Sequence, residues 1–309
     1  MPHSYSNSFA NTITSIYGPQ GAQWLAQLPQ LIAQCAIEWQ LSGLQAYPTL
    51  TYNYVLFGMM NDMPIVLKLR CDTAQTLQET TALKAFESFG GVKLLAHNAQ
   101  LNALLLERVI PGTPLSDLFP DEDACATRIA AKLVKMLHQA PIPEAHSFPS
   151  LEQVIPDFTK DPHELAPFIA HARRLRSRLL STQPKQKQSS PAKEIKSLLH
   201  GDFHAGNILL SSNNDTLIVI DPEGILGDPL YDLAVYIRNP RTELVANPQA
   251  HVIVKNRIHS FAQLLGYDAQ RIYDWVYLQA VTSAYWSIED RLDASEHVAF
   301  LTLLHNISL

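Results

Sequence analysis

The stretch that decides the fold runs from residue 198 to residue 234 and reads LLHGDFHAGNILLSSNNDTLIVIDPEGILGDPLYDLA. Its apolar runs, ILL and LIVI, are predicted to be short strands joined by the polar turn SSNNDT. Such a hairpin brings Asn207, which precedes the first run, close to Asp221, which follows the second. An amide oxygen and a carboxylate are hard ligands that suit Mg²⁺. The stretch therefore predicts a magnesium site at one end of a hairpin, with the carboxylate of Asp202 beside it.

The polar residues of this stretch also match the catalytic loop of protein kinases in order and spacing. That loop reads H-x-D-x-x-x-x-N and is followed by a metal-binding Asp. Here its positions are filled by His200, Asp202 and Asn207. Phosphoryl transfer needs two metal ligands, a carboxylate that orients the attacking hydroxyl, and a cation on the nucleotide phosphates. The spacing predicts this chemistry, with Asp202 as the catalytic carboxylate.

The cation on the phosphates is expected upstream of the loop, within a strand. The run PIVLKLR, residues 64–70, places Lys68 among apolar residues, and the next predicted helix offers Glu79 or Glu87 as its partner. A carboxylate partner keeps a buried ammonium group charged. We prefer Glu79 because it lies in the first half of the helix. Either residue alone is ordinary, so the prediction depends on their joint match with the catalytic loop.

Strands are concentrated in the first third of the chain. Residues 50–59 and 64–71 are predicted to form a hairpin around the turn Asn61-Asp62, and two further strands are predicted at 92–97 and 103–109. Helical periodicity predicts a helix over 20–40, broken near Pro29, and another over 73–88 with Thr73 as its N-cap.

After Pro114 the chain is mainly helical, with a polar loop predicted at 181–197. The predicted fold class is α+β, in which a small β-rich lobe (residues 1–110) precedes a larger α-rich lobe (residues 111–309). The boundary is expected near Pro111–Gly112. The first lobe is expected to bind the nucleotide, and the second to hold the catalytic loop and the acceptor.

Composition narrows the class of protein. The chain has 309 residues, of which 47% are hydrophobic and 17% charged, as in ordinary globular proteins. A net charge of −6 argues against a nucleic-acid partner. No apolar run approaches the ~20 residues needed to cross a bilayer, and the first residues lack a secretory pattern. Three widely spaced cysteines fit a reducing cytoplasm, where we expect this protein to act without a membrane partner.

Two longer matches identify a family. HGDFHAGNILL together with IDPEGILGDPLYDLA resembles the superfamily of aminoglycoside and choline kinases, which shares the protein-kinase fold. Within it, TYNYVLF, PIVLKL, QETTALKAF, ALLLERVIPGTPL, MLHQAP and SAYWSIEDR resemble the aminoglycoside/hydroxyurea resistance kinases, a streptomycin-kinase-like group. The resemblance extends from Tyr52 to Arg291 and implies a two-lobe, protein-kinase-like fold.

The resemblance also implies roles for the matched residues, with ATP and Mg²⁺ as cofactors. The hinge whose backbone contacts adenine corresponds to the stretch Leu106–Ile110. By resemblance, the catalytic base is Asp202, the Mg²⁺ ligands are Asn207 and Asp221, and the ATP-binding residues are Lys68, Glu79, Glu107 and Val109.

Departures from protein kinases point to a small-molecule acceptor. Gly201 stands where protein kinases have an arginine, Asp221 is followed by Pro-Glu-Gly, and no A-P-E sequence follows. The phosphorylation-gated switch and the platform for protein substrates are therefore expected to be absent. There is also no glycine-rich phosphate loop, so backbone amides or the side chains of Tyr52 and Asn53 must cover the phosphates.

The acceptor is expected to bind against the helix DWVYLQAVTSAYWSIEDR near the C-terminus. Its aromatic and acidic residues suit a cationic or polyhydroxylated acceptor, such as a guanidinium- or ammonium-bearing sugar. Aromatic residues at helical spacing more often belong to a core, so we prefer the i, i+4 pair Trp286 and Asp290. His204 and Glu223 are further candidates beside the catalytic carboxylates. The residues of this helix considered for the acceptor-binding surface are Trp275, Tyr285, Trp286, Glu289 and Asp290.

Several alternatives stay open at this point. The most specific hypothesis is a streptomycin-type aminoglycoside phosphotransferase, and the nearest alternative is a metabolic kinase of the same fold acting on a sugar, an amino alcohol or another hydroxylated metabolite. A non-catalytic nucleotide-binding protein and a zinc hydrolase using His200, Asp202 and His204 are weaker alternatives. Asp228 and Asp232 could be further ligands, but structural roles are preferred: Asp228 in the turn before Pro229, and Asp232 either as a helix cap or bonded to the catalytic-loop backbone.

Overall fold

An antiparallel sheet of five strands dominates the first part of the chain. The structure, a computed structural model, describes residues 5–181, 196–212, 216–307 and 309. The strands are ordered β1-β2-β3-β5-β4 across the sheet. Their bounds are Leu41–Ala46 (β1), Tyr54–Met60 (β2), Met63–Leu69 (β3), Leu94–Asn98 (β4) and Ala103–Glu107 (β5). The predicted hairpin is confirmed, because β2 pairs with β3 around a turn at Asn61 and Asp62.

A long helix, α1 (Asn7–Glu38), packs its apolar residues against one face of this sheet. The helix is kinked at Gly18, whose φ of 55° and ψ of −133° suit only glycine. The break expected near Pro29 was wrong, since Pro29 lies inside the helix. Pro19 follows the kink, and its missing N–H favours a break there.

The second helix, α2 (Thr73–Phe86), begins at the predicted residue and ends two residues earlier than expected. Its N-cap is Asp72, whose Oδ1 accepts a hydrogen bond from the Gln75 N–H at 2.9 Å, and not Thr73. Either residue type caps well, but only Asp72 has the extended backbone that the position requires. Because α2 starts here, Glu79 points into the protein and is buried.

Helices and two small sheets form the rest of the chain. One sheet has the order β6-β8-β9, and the other pairs β7 with β10. The strand bounds are Pro111–Pro114 (β6), Ser197–Leu199 (β7), Ile208–Ser211 (β8), Thr216–Val219 (β9) and Ile225–Gly227 (β10). The helices are α3 (Leu115–Leu118), α4 (Asp123–Leu137), α5 (Leu151–Val154), α6 (Ala166–Ser181), α7 (Leu230–Arg238), α8 (Arg241–Ala246), α9 (Ala250–Leu265), α10 (Ala269–Glu289) and α11 (Ser295–His305).

The α+β class is confirmed, and helices α7 and α10 form the centre of the helical part. Trp275 of α10 is fully buried and meets Tyr231 of α7 edge to face, with 6.2 Å between the ring centroids. The predicted hairpin of ILL and LIVI is confirmed as β8 and β9. Residues 213–215 of its turn and residues 182–195 of the predicted polar loop lie outside the described residues.

Strand β9 connects the two parts of the chain. The Val92 N–H donates to the Val219 carbonyl at 2.9 Å, and the Val219 N–H donates to the Gly90 carbonyl at 2.8 Å. The cleft between the five-stranded sheet and the helices therefore opens next to the end of β9, where Asp221 follows. Within the described ranges, no helix is both long and apolar enough to cross a membrane.

Candidate active site

The predicted catalytic loop follows β7 through a turn that requires glycine. Gly201 has a φ of 88°, and a Cβ atom there would lie 2.9 Å from Cβ of Glu223. A side chain at this position would be strained and would collide with the segment that follows Asp221. Gly201 therefore lets the loop approach that segment closely.

His200 is a buried structural residue of this loop. Its Nδ1 accepts a hydrogen bond from the Asp202 N–H at 3.2 Å, so the proton lies on Nε2, which donates to the Ile220 carbonyl at 2.9 Å. Burial lowers the pKa of His200, which keeps the ring neutral. The ring thus joins the loop to the residue before Asp221. Because both nitrogens are engaged, His200 is not available as a zinc ligand.

Asp232 holds the backbone of the loop, as predicted. Its carboxylate is fully buried and accepts from the N–H groups of His200 and Gly201 at 2.9 and 2.8 Å. His138 Nε2 lies 2.9 Å from the same carboxylate. Asp228 shapes the next turn by accepting from the Leu230 N–H at 3.0 Å.

Replacing Asp232 is expected to destabilise the protein. Asp232→Asn directs an amide group towards two buried N–H donors, and each unsatisfied donor costs about 1–3 kcal/mol. We expect the free energy of unfolding in urea to fall by about 2–4 kcal/mol. The matched control is Asp121→Asn, at an exposed position outside any helix. Equal unfolding free energies for the two variants would contradict this role.

Asp202 lies between two polar neighbours in the loop. Asn207 Nδ2 donates to the Asp202 carbonyl at 3.0 Å and to its Oδ2 at 3.1 Å. His204 Nδ1 accepts from the Gly206 N–H at 3.1 Å, which leaves the proton on Nε2, 3.4 Å from Asp202 Oδ2. Burial would raise the pKa of Asp202, but the hydrogen bond from His204 outweighs burial and lowers the pKa to about 2. Asp202 is therefore anionic at neutral pH.

The two predicted metal ligands are neighbours. The Ile220 N–H donates to the Asn207 carbonyl at 2.9 Å, which brings Asp221 next to Asn207. Asp221 has a φ of 64°, and its side chain is 44% exposed to the cleft. Since Nδ2 of Asn207 is engaged with Asp202, its Oδ1 is the atom left for a ligand. One carboxylate and one amide oxygen on a shared cleft fit Mg²⁺, which keeps several of its waters.

Lys68 and Glu79 form the expected buried ion pair. Lys68 Nζ lies 2.7 Å from Glu79 Oε1, and both side chains are at most 5% exposed. Lys68 Nζ also contacts Asp221. Desolvation alone would lower the pKa of Lys68, but Asp221 and Glu79 raise it, so the amine stays charged. Glu87, the other partner considered, is exposed in a short turn after α2.

The predicted hinge, Leu106–Ile110, includes the last two residues of β5 and continues beyond that strand. The Glu107 N–H donates to the Lys93 carbonyl at 3.0 Å, and the Arg108 N–H to the Pro64 carbonyl at 3.2 Å. Among the described residues, no carbonyl accepts from the Val109 N–H, and this side chain packs on an apolar cluster that includes Leu106 and Ile220. The segment therefore offers a free donor beside an apolar surface, as a planar base requires.

A cleft of about 450 Å³ brings many of the predicted residues together. Of the predicted site residues, its lining contains Asp202, Asp221, Glu223, Trp286 and Asp290. His204 and Asn207 contact Asp202 but are not part of this lining. Desolvation, together with the charge of Asp202, raises the pKa of Glu223 to about 7. Burial, and secondly Glu289, raises the pKa of Asp290.

Part of the predicted acceptor-binding surface on α10 was wrong. Trp275 is fully buried and donates to Asp228 Oδ2 at 2.9 Å, and Tyr285 is buried against Phe158. Glu289 is exposed and pairs with Lys160 at 3.2 Å outside the cleft lining. Helix α10 is surrounded by other helices for most of its length, so only one face of its last turns reaches the cleft.

Several cleft residues were missed by reasoning from the sequence. Ile16 and Tyr17 come from α1, and Arg70 and Gln75 from the region around the start of α2. Strand alternation from Lys68 would have identified Arg70. No local pattern marks Ile16 or Tyr17, because their position depends on the kink of α1 at Gly18. In the parts of the chain that the structure describes, no three His, Cys, Asp or Glu side chains form a metal-binding group.

Known proteins of similar structure share this architecture. The aminoglycoside phosphotransferase APH(4)-Ia, solved as a thermostable mutant with ADP and hygromycin B, superposes with a TM-score of 0.63 at 15% identity. The match covers 88% of this chain and 97% of that one. At this identity the likeness shows the fold alone, which is the two-lobe kinase-like fold expected from the sequence.

Sequence comparison shows the family. Streptomycin 6-kinase of Streptomyces glaucescens is 27% identical over 292 residues, covering 94% of this chain and 91% of that protein. Hydroxyurea phosphotransferase of Kitasatospora aureofaciens is 26% identical, covering 88% of this chain and 77% of that protein. The model of the aminoglycoside/hydroxyurea antibiotic resistance kinases matches residues 49–291. The chain therefore belongs to this family of ATP-dependent phosphotransferases.

Proposed function

We propose that the protein transfers the γ-phosphoryl group of ATP to a hydroxyl of a streptomycin-type aminoglycoside in the cytoplasm. One observation carries the proposal. A single cleft is lined by Asp202 and Asp221 and also by Trp286 and Asp290. The first two residues suit phosphoryl transfer, and the other two suit a cationic acceptor.

The two lobes have separate tasks in this proposal. Residues 1–110 bind the nucleotide, with Glu107 and Val109 at the adenine and Lys68, held by Glu79, at the phosphates. Residues 111–309 carry the catalytic loop and the acceptor site. Asn207 and Asp221 would hold Mg²⁺, which, when bound, neutralises charge on the transferred phosphoryl group.

The reaction uses Asp202 as the group that orients the acceptor. The acceptor oxygen forms a bond to the γ-phosphorus while the bond from that phosphorus to the bridging oxygen of ADP breaks. The hydroxyl proton passes to the Asp202 carboxylate. His204 and Asn207 keep that carboxylate anionic and oriented, since both contact its Oδ2.

The acceptor is expected to be a cation. Asp290 supplies negative charge, Glu223 with its pKa of about 7 adds charge when it is deprotonated, and Trp286 supplies an aromatic face that attracts a guanidinium or ammonium group. His204 lies beside Asp202, with its Nε2 3.4 Å from Oδ2, and is a further candidate for contact with the acceptor.

The proposal is tested by measuring ADP release with Mg²⁺-ATP. The acceptors are streptomycin, other aminoglycosides, hydroxyurea, choline and simple sugars, each also tested with Asp202→Asn as the inactive control. We expect turnover with streptomycin that disappears in the variant. Turnover with another compound would support phosphoryl transfer from ATP but would favour the alternative of a metabolic kinase of the same fold. Absence of both turnover and ATP binding would contradict the proposed function.

Two residues of α10 are expected to govern acceptor affinity. Trp286→Leu and Asp290→Asn each remove an attraction for a cation of about 1–2 kcal/mol, so KM for the acceptor is expected to rise about 5–30-fold. KM for ATP should change less than about twofold. The matched control is Glu289→Gln, which neutralises a neighbouring carboxylate outside the cleft lining. An unchanged acceptor KM in both cleft variants would contradict this assignment.

A further inference from the structure

Arg70 is a second cation on the strand that carries Lys68. Because side chains alternate along a strand, residues 68 and 70 of this segment face the same side of the sheet. Both contact the one carboxylate of Glu79. Lys68 Nζ lies 2.7 Å from Oε1, and Arg70 Nη1 contacts Oε2. Arg70 lies in the lining of the cleft that contains Asp202 and Asp221.

Lys68 and Arg70 share one buried carboxylate. Together they carry two positive charges, and Glu79 supplies one negative charge. Two further carboxylates act on both cations, namely Asp221, which we propose as a metal ligand, and Glu223. When Asp221 binds a cation, its negative charge is neutralised, and the potential at Lys68 and Arg70 becomes more positive. Such a change favours the binding of an anion beside them.

The hydrogen-bonding capacity of Arg70 is also incompletely used. Its Nη2 makes a long bond of 3.3 Å to Gln75 Oε1, an atom that the hydroxyl of Tyr17 also approaches at 3.4 Å. Its Nε is buried and has no partner among the described residues. A guanidinium group has five N–H donors in one plane and binds phosphate oxygens with two of them.

Within the described residues, the hairpin of β2 and β3 forms no glycine-rich loop that could hold the phosphates. The segment before β3 contains a single glycine, Gly58, which lies within β2 opposite Ile65. A Cβ atom at Gly58 would lie 2.8 Å from a Leu44 side-chain atom, so close packing between strands explains this glycine. A flexible loop of backbone amides is therefore not formed there.

We propose that Arg70 is a second phosphate-binding residue, which contacts the terminal phosphates of the nucleotide beside Lys68. The proposal rests on the proposed kinase function and assigns a residue to it. Arg70 replaces the backbone amides that a glycine-rich loop would supply. Its contact with Glu79 orients the guanidinium group in advance, so little rotamer entropy is lost on binding.

The test compares the affinities of ADP and adenosine, measured by calorimetry in saturating Mg²⁺ with no acceptor present. Arg70→Gln is expected to weaken ADP binding about 10–100-fold, because it removes a charge-assisted hydrogen bond. Adenosine, which has no phosphate, should change less than about twofold. Arg70→Lys keeps the charge but loses the planar fork, so an intermediate loss is expected. Arg128→Gln makes the same charge change at an exposed position on α4 and should leave both affinities unchanged.

The outcomes separate this proposal from a purely structural role. If Arg70 only holds Glu79, its effect on ADP passes through Lys68, so Arg70→Gln weakens ADP binding no further in a Lys68→Ala background, and the proposal is overturned. Equal weakening of ADP and adenosine, or of neither, also overturns it. If circular dichroism shows that Arg70→Gln is unfolded, the ratio of the ADP affinity to the adenosine affinity in Arg70→Lys is used for the same comparison. If the unaltered protein binds ADP no better than adenosine, the kinase function fails together with this inference. If the unaltered protein binds ADP tightly and Arg70→Gln binds it equally well, only the role of Arg70 is overturned.

Discussion

Asp202→Asn is expected to lower kcat for the phosphorylated acceptor by about 10²–10⁴-fold. The amide has nearly the same shape as the carboxylate, but it is a poor proton acceptor. Its NH₂ group can also donate a hydrogen bond to the acceptor hydroxyl, which turns the hydroxyl proton away. The loop itself should stay folded, because the backbone N–H groups of His200 and Gly201 are held by Asp232 and not by Asp202. The loss is therefore expected in the chemical step.

The measurement is kcat under saturating Mg²⁺-ATP and acceptor, together with the affinity for ATP. ATP affinity should stay within about twofold of the unaltered protein, since Asp202 contacts the acceptor in the proposed reaction. Asp121→Asn serves again as the matched control. A kcat within tenfold of the unaltered protein would show that another group takes the proton.

Asp221→Asn is expected to abolish the effect of magnesium on nucleotide binding and to lower kcat by about 10³-fold or more. The amide keeps an oxygen ligand but loses the negative charge, and Mg²⁺ prefers carboxylates. Lys68 remains paired with Glu79 in this variant, so the protein should still fold.

A thermal denaturation series tests this prediction. The unaltered protein is heated alone, with ATP, with Mg²⁺, and with both. We expect Mg²⁺ to add to the stabilisation by ATP, because any ligand that binds only the folded state raises its stability. In Asp221→Asn the additional effect of Mg²⁺ should vanish while that of ATP alone persists. An Mg²⁺ effect equal to that of the unaltered protein would place the metal on other residues.

The catalytic segment could be predicted from the sequence because its signals are local. The spacing from His200 to Asn207 and the two apolar runs before Asp221 lie within one short stretch of chain. The hairpin of β2 and β3 is likewise specified by alternation and a turn. The partner of Lys68 could be chosen because Glu79 lies in the first half of the predicted helix, whereas Glu87 lies at its end.

The errors have a common physical origin. Pro29 is compatible with its helix, and Thr73 resembles a good N-cap, so local preference alone selected the wrong positions. Trp275 and Tyr285 have the composition of a binding surface but are buried by neighbouring helices. A helical pattern identifies which residues share a face, and it does not say which face meets another helix.

The sequence by itself determined the fold class, the catalytic segment and the family, because these depend on spacing along the chain. Only the tertiary structure decided which side chains share the cleft. The kink at Gly18 brings Tyr17 near Gln75, and the approach of α2 to β3 gives Arg70 its contact with Glu79. Such contacts join residues of separate elements, and their geometry follows from packing that no local pattern encodes.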